Sequence, residues 1–240
     1  MSAYRIAVKR QESPQAPSWT QVFIQGDCAS DMTVADFLRE LNLREPLLDA
    51  DGRPARPVAW ECGCLQARCG ACAMRICGRP ALACSVTLEK AADGHGEILL
   101  EPLSRFPVVQ DLKVDRSLMS ENLKKMKVWV DRRDTSDFGH FPELQTIAAE
   151  CCQCGLCLEI CPAFASGGGF AGAAAMVKAG KALDQNRRNE HFEEMAAAYR
   201  KHFFKGCCQS LSCVNICPLR LPLDELQARA NARAVWERTY

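Results

Sequence analysis

A chain of 240 residues, 48% of them hydrophobic, can bury a real core without covalent staples, so its 16 cysteines are not needed for stability. The 30 basic and 29 acidic side chains leave a net charge of +1, which gives no reason to expect nucleic acid or an acidic membrane surface as the main partner. The start, MSAYRIAVKRQESPQ, has neither the apolar centre of a secretory signal nor an Arg/Ser-rich amphipathic pattern, and nowhere do about 18 apolar residues run together, so the expectation is a soluble, cytoplasmic chain.

In chain order, YRIAVKR and WTQVFIQ alternate apolar and polar residues on either side of ESPQAPS, which predicts two strands joined by a loop. DMTVADFLRELN then sets Val34, Phe37, Leu38 and Leu41 at helical spacing behind Asp31 or Thr33 as N-cap. After a cysteine-rich loop, PALACSVTLE returns to strand-like character and GEILLEPL reads as a closing strand, so residues 1–106 form a compact α+β domain. From FPVVQDLKVDRS onward the pattern turns helical and no strand-like alternation recurs. Helices are predicted at 117–127, 142–150 (with Pro142 in the first turn), 172–183, 190–203 and 222–236, which makes 107–240 an all-α domain. ASGGGFAGAAAMVKAG lacks the preceding strand and the Gly-Lys-Ser/Thr ending of a phosphate loop and reads as a closely packed small-residue helix. LKKMKVWVDRR reads as a solvated or partner-facing surface, its aromatic interleaving too thin for a nucleic-acid patch.

In a reducing compartment disulfides are disfavoured, which leaves zinc or iron–sulfur chemistry for the clustered cysteines. Cys64, Cys69 and Cys72 form C-x4-C-x2-C, with Cys84 following after eleven intervening residues. That is the plant-type ferredoxin spacing for a [2Fe–2S] cluster, whereas zinc favours two separated short pairs. Gly70 and Ala71 keep side chains away where amide groups can approach sulfur. Cys62 competes with Cys64 but would stretch the first gap from four residues to six, so Cys64 is preferred.

Farther on, CCQCGLCLEICP at 151–162 and CCQSLSCVNICP at 207–218 repeat each other. The first contains C-x2-C-x2-C-x3-C-P, and in two-cluster ferredoxins the cysteine before proline of such a run ligates the other cluster. The ligand set read for a [4Fe–4S] cluster is therefore Cys151, Cys154, Cys157 and Cys217. Cys161, Cys207 and Cys213 remain for the second site, where Ser210 stands opposite Cys154. Three thiolates suit a [3Fe–4S] cluster; a serine oxygen or water on a fourth iron is the alternative. Cys28, Cys62, Cys77, Cys152 and Cys208 are read as small packing residues or tolerated thiols.

These motifs, CLQARCGACAMRICGRPALAC, ECCQCGLCLEICP and GCCQSLSCVNICPLRLPL, together with the linking FPVVQDLKVDRSLMSENLKKMKVWV, resemble the iron–sulfur subunit of succinate dehydrogenases and fumarate reductases over nearly the whole chain. The resemblance implies a β-grasp, plant-type [2Fe–2S] ferredoxin-like domain followed by an α-helical ferredoxin domain. It also implies single-electron transfer along [2Fe–2S], [4Fe–4S] and [3Fe–4S] between a flavoprotein carrying FAD and a membrane anchor where quinone reacts. The subunit would then sit peripherally on the cytoplasmic face of a bacterial inner membrane. The GGGFAG stretch and CPLRLPL look more like members whose anchor is a dihaem cytochrome b, implying haem b on that partner. Other members carry tryptophan where Ser166 stands and histidine where Cys208 stands, so quinone contacts are not carried over. No catalytic residue is assigned to this chain, since His95, His140, His191 and His202 are scattered and none sits beside an evident nucleophile or carboxylate pair. Two readings compete: a free multi-cluster ferredoxin and a zinc-stabilised interaction module.

Overall fold

The two alternating segments pair as β1 (Tyr4–Arg10) and β2 (Trp19–Gln25), antiparallel from Tyr4 opposite Gln25 to Arg10 opposite Trp19. They belong to a computed structural model whose described residues are 3–92, 97–129, 142–186 and 191–236. Helix α1 (Val34–Asn42) begins at Thr33, the second of the two expected caps, because Thr33 and Asp36 satisfy each other's backbone. Thr33 Oγ1 accepts from Asp36 N at 3.1 Å, and Asp36 Oδ2 accepts from Thr33 N at 3.2 Å. Its apolar face, Val34, Phe37, Leu38 and Leu41, is fully buried with Ile6, Val8, Phe23 and Leu100. Each such side chain contributes roughly 1.5–3 kcal/mol of burial free energy.

The cysteine loop leads into a hairpin, β3 (Ala73–Ile76) and β4 (Arg79–Leu82), closed by Cys77 and Gly78 at φ +47° and +77°. Positive φ at both positions makes the two-residue turn whose twist matches the flanking strands. The strand expected across PALACSVTLE ends at Leu82. A single 3-10 turn (Ala83–Ser85) holds Cys84, anchored where Ala83 N donates to Cys72 O at 3.0 Å, and α2 (Leu88–Ala92) follows. Strand β5 (Ile98–Glu101) runs parallel to β1 and antiparallel to β3, giving the mixed sheet β2-β1-β5-β3-β4.

A second correction concerns the segment after 106. It is not purely helical, since β6 (Val108–Gln110) and β7 (Lys113–Val114) form a small antiparallel pair. The chain divides into two compact units at Asp115/Arg116, beyond the boundary expected after 106. Asp111 explains why. Its carboxylate accepts from Gln11 N and Ala59 N, both at 2.9 Å, and lies 3.1 Å from Arg10 Nε, close enough for ion pairing though not aligned as a hydrogen bond.

In the second unit the helices are α3 (Ser117–Lys125), α4 (Pro142–Ala149), α5 (Leu156–Glu159), α6 (Gly172–Gln185), α7 (His191–Tyr199), α8 (Ser212–Ile216) and α9 (Leu223–Asn231). Single π turns at Arg200–Phe204 and Ala232–Trp236 extend α7 and α9. The short α5 and α8, inside the cysteine motifs, have too few residues to show periodicity and were not expected. The Gly/Ala-rich α6 buries Ala173–Val177, Ala179, Ala182 and Leu183. It comes so near α9 that a Cβ on Gly180 would meet Ala230 Cβ at 3.1 Å. Cys151, Cys157, Cys207, Cys213 and Cys217 are half-buried against the core formed by Met176, Leu183, Met195, Tyr199, Phe203 and Leu226. His191 stacks on Trp129 with ring centroids 4.1 Å apart, and His202 Nδ1 lies 3.0 Å from Gly169 O. His95, His140 and Val130–Arg133 of the basic segment lie outside the described residues.

Candidate metal centres

In the first unit the segment from Cys62 to Cys72 wraps its amides toward sulfur. Leu65 and Ala67 at φ +55° and Gly70 at φ +74° bend the backbone the left-handed way at three places. Backbone N–H groups otherwise facing solvent then turn inward, as in the anion-binding nests of other loops. Cys64 Sγ accepts from the amides of Gln66, Arg68 and Cys69, each at 3.3 Å. Cys69 Sγ accepts from Cys64 N at 3.4 Å, and Cys84 Sγ from Ala67 N at 3.2 Å. Cys72 Sγ lies 3.4 Å from Cys84 Sγ, so the loop and the 3-10 turn bring the four expected cysteines of this centre to one locality.

The electrostatics of the loop pull in two directions. The amides of Gln66 and Arg68 bring the Cys64 thiol down to about 7, because they favour its charged form. Burial pushes Cys72 up to about 12. The competing Cys62 is exposed. Gly63 has a role that spacing alone did not reveal: a Cβ there would lie 3.1 Å from Cys69 Sγ.

In the second unit the two motifs share a backbone as well as letters. Gln153 and its counterpart Gln209 both stand at φ +54°. Two residues on, Gly155 at φ +87° and Leu211 at φ +55° start the short helices α5 and α8. Cys151, Cys154, Cys157 and Cys217 line one partly open cavity with Cys152, Ala174, Val177 and Leu223. Cys217 therefore faces cysteines of the other motif. Burial, and then the nearby Cys151, Cys213 and Cys217, push the Cys157 thiol up. Cys154 is pushed up by its hydrogen bond to Cys152 and by burial, while Cys152, receiving that bond, is brought down to about 6.

Cys161, Cys207 and Cys213 form the second locality. Burial raises Cys161, with Cys208 and Cys207 adding to it, and burial raises Cys213, with Cys161 and Cys207 adding to it. Ser210 is exposed, with its Oγ 3.3 Å from Ser212 Oγ, whereas its counterpart Cys154 is only 8% exposed. Cys28 lies apart, in an open groove with Asp27, Asp31 and Glu40, and Cys77 serves the hairpin turn.

Among the described residues no three His, Cys, Asp or Glu side chains converge on one point as the ligands of a single ion do. Cys151, Cys154, Cys157 and Cys217 instead line a common space, and in a polynuclear cluster each iron takes only one or two thiolates. Amides aimed at Cys64, Cys69 and Cys84, and the soft sulfur lining of the cavity, suit such a group.

Comparison with known proteins agrees in kind. Residues 5–121 match a family described as a 2Fe-2S iron-sulfur cluster binding domain. The succinate dehydrogenase iron-sulfur subunit of Bacillus subtilis is 32% identical over 236 residues, covering 95% of this chain and 90% of that protein. The fumarate reductase iron-sulfur subunit of Haemophilus influenzae is 30% identical over 196 residues, covering 72% of this chain and 75% of that one. A chain of the Mycobacterium smegmatis Sdh1 complex in the apo form superimposes with a TM-score of 0.73 over 99% of both chains, at 19% identity, a likeness of fold.

Proposed function

The chain belongs to the family of succinate dehydrogenase and fumarate reductase iron–sulfur subunits, and from that premise we propose that it conducts single electrons between a flavoprotein and a membrane anchor. The unit Met1–Asp115 would be a β-grasp ferredoxin domain and the unit Arg116–Tyr240 an α-helical ferredoxin domain, in place of the sequence-based bounds 1–106 and 107–240. In the proposed assignment Cys64, Cys69, Cys72 and Cys84 hold a [2Fe–2S] cluster. Cys151, Cys154, Cys157 and Cys217 hold a [4Fe–4S] cluster, and Cys161, Cys207 and Cys213 hold a [3Fe–4S] cluster with Ser210 at the vacant corner. Each cluster, when bound, supplies a site that takes up and releases one electron.

The observation that carries this reading is the cavity in which Cys217 joins Cys151, Cys154 and Cys157. An exchange of fourth ligands between motifs is the arrangement of two-cluster ferredoxins. The chain's own groups then tune each centre. Cys154 is only 8% exposed and the apolar Ala174, Val177 and Leu223 line the four-thiol cavity, which disfavours added negative charge. At the other centre Cys208, Gln209, Ser210 and Leu211 are exposed, which brings solvent near and eases reduction. That contrast supports an electron path ending at the three-iron centre, on the side of the quinone and of a dihaem cytochrome b anchor. No helix among the described residues is long and apolar enough to cross a membrane, and peripheral attachment through the anchor at the cytoplasmic face is the proposed location. FAD and the dicarboxylate site are assigned to the flavoprotein partner.

The test is purification from native membranes with flavin, haem, iron and sulfide analysis and EPR. Co-elution with a flavoprotein and a [3Fe–4S] signal in the oxidised state are expected, and Ser210→Cys should convert that signal to a four-iron one. A colourless zinc protein, elution alone with full clusters, or two four-iron centres in the natural chain would each overturn the corresponding part.

A further inference from the structure

Two side-chain amides end on sulfurs of different centres. Gln153 Nε2 lies 3.3 Å from Cys151 Sγ and 3.0 Å from Ala174 O. Both partners are acceptors and the amide nitrogen carries two protons, so this orientation satisfies both, whereas a flipped amide would set an oxygen against them. Gln227, on the buried face of α9, reaches Cys207 Sγ with Nε2 at 3.6 Å.

Cys151 and Cys207 are counterparts in the repeat, but the glutamines that reach them are not. The counterpart of Gln153 is Gln209, which has the same φ of +54° yet is exposed. The second motif thus keeps a glutamine in the matching position, while a different one, 20 residues beyond Cys207 in the chain, supplies the amide.

Resting on the cluster assignment above, we infer that Gln153 and Gln227 are positioning residues that set the reduction potentials of two separate centres, Gln153 for that of Cys151 and Gln227 for that of Cys207. Reduction adds one negative charge to a cluster, and part of that charge appears on the thiolate sulfurs. An N–H donor aimed at a thiolate is therefore bound more strongly in the reduced state and raises the potential. Burial magnifies the effect, and Gln227 is 8% exposed. Losing the donor should lower the reduction equilibrium constant of that one centre by about 3-fold to 10-fold, tenfold being about 59 mV for a one-electron couple.

The experiment is an EPR-monitored redox titration of the intact complex carrying Gln227→Met or Gln153→Met, with Gln227→Glu as an isosteric variant that keeps shape but replaces the donor by an acceptor. The expected result is a lowered potential for the Cys207 centre alone in both Gln227 variants and for the Cys151 centre alone in Gln153→Met. Unchanged potentials, a joint shift of both centres, or reduced cluster content with an unchanged potential in the clusters that remain would overturn the inference. Absence of both cluster signals from the unsubstituted complex would instead overturn the cluster assignment itself.

Discussion

Asp111→Ala should loosen the entrance to the first cysteine loop more than any surface change. Asp111 and Arg10 are both fully buried, with Arg10 Nε 3.1 Å from Asp111 Oδ1. Arg10 also donates to Gln21 Oε1 at 2.8 Å and to the carbonyls of Arg56 and Pro57 at 3.1–3.2 Å. Removing the carboxylate leaves a buried guanidinium facing neutral acceptors, and breaking such a pair costs about 3–5 kcal/mol. It also removes the acceptor of Gln11 N and Ala59 N, at about 1–3 kcal/mol for each donor that water fails to reach. Because Ala59 lies three residues before Cys62, the loss falls at the base of the loop that carries Cys64 and Cys69. Native-state hydrogen exchange reads this locally: the opening free energy at the Gln11 and Ala59 amides should fall by at least about 3 kcal/mol. Asp111→Asn, which keeps an oxygen for one amide, should fall between the variant and the natural chain. If Asp111→Ala costs less than about 1 kcal/mol and both amides keep their protection, the account of Asp111 as the tie between 10–11, 56–59 and 111 is wrong.

Three further outcomes are expected. Gly63→Ala puts a methyl 3.1 Å from Cys69 Sγ and should lower occupancy of the [2Fe–2S] cluster proposed for that loop, seen as loss of its visible circular dichroism, while signals from the clusters proposed for the second unit persist. Gly172→Ala would overlap the Leu158 side chain, with φ at +77°; strain and overpacking together should cost about 2–5 kcal/mol, and a thermal midpoint unchanged by this variant would refute the packing account. Gly155→Ala at φ +87° should destabilise by about 1–2 kcal/mol. Leu211→Gly, at the matching exposed position, should stay within about 1 kcal/mol of the natural chain because relief of strain offsets glycine's freedom when unfolded; equal losses in denaturant titrations would break the equivalence of the two motifs.

Where the chain repeats a physical period, the sequence reads well. Val34, Phe37, Leu38 and Leu41 mark their helix by spacing, and Thr33 with Asp36 marks its start. Where elements are shorter than a period, it does not: β6 and β7 have three and two residues, and α5 and α8 have four and five. The hairpin of β3 and β4 is signalled mainly by Cys77-Gly78, and a cysteine at positive φ is an uncommon turn residue. The thiols themselves are legible because their order along the chain is the pattern. Gly63, Gln227 and the amides of Gln66 and Arg68 are not, since nothing in their local sequence names the sulfur they approach; only the folded chain supplies that partner.

The shared cavity of the second unit also has a consequence for how the molecule is made. Three of its thiols, Cys151, Cys154 and Cys157, emerge from synthesis together, but Cys217 follows about 60 residues later, after α6 and α7, and closing a loop of that length carries its own entropic cost. A nascent chain that stops short of Cys217 carries only three of the four thiols. A cargo held by all four sulfurs can therefore be fully coordinated only after synthesis has passed Cys217.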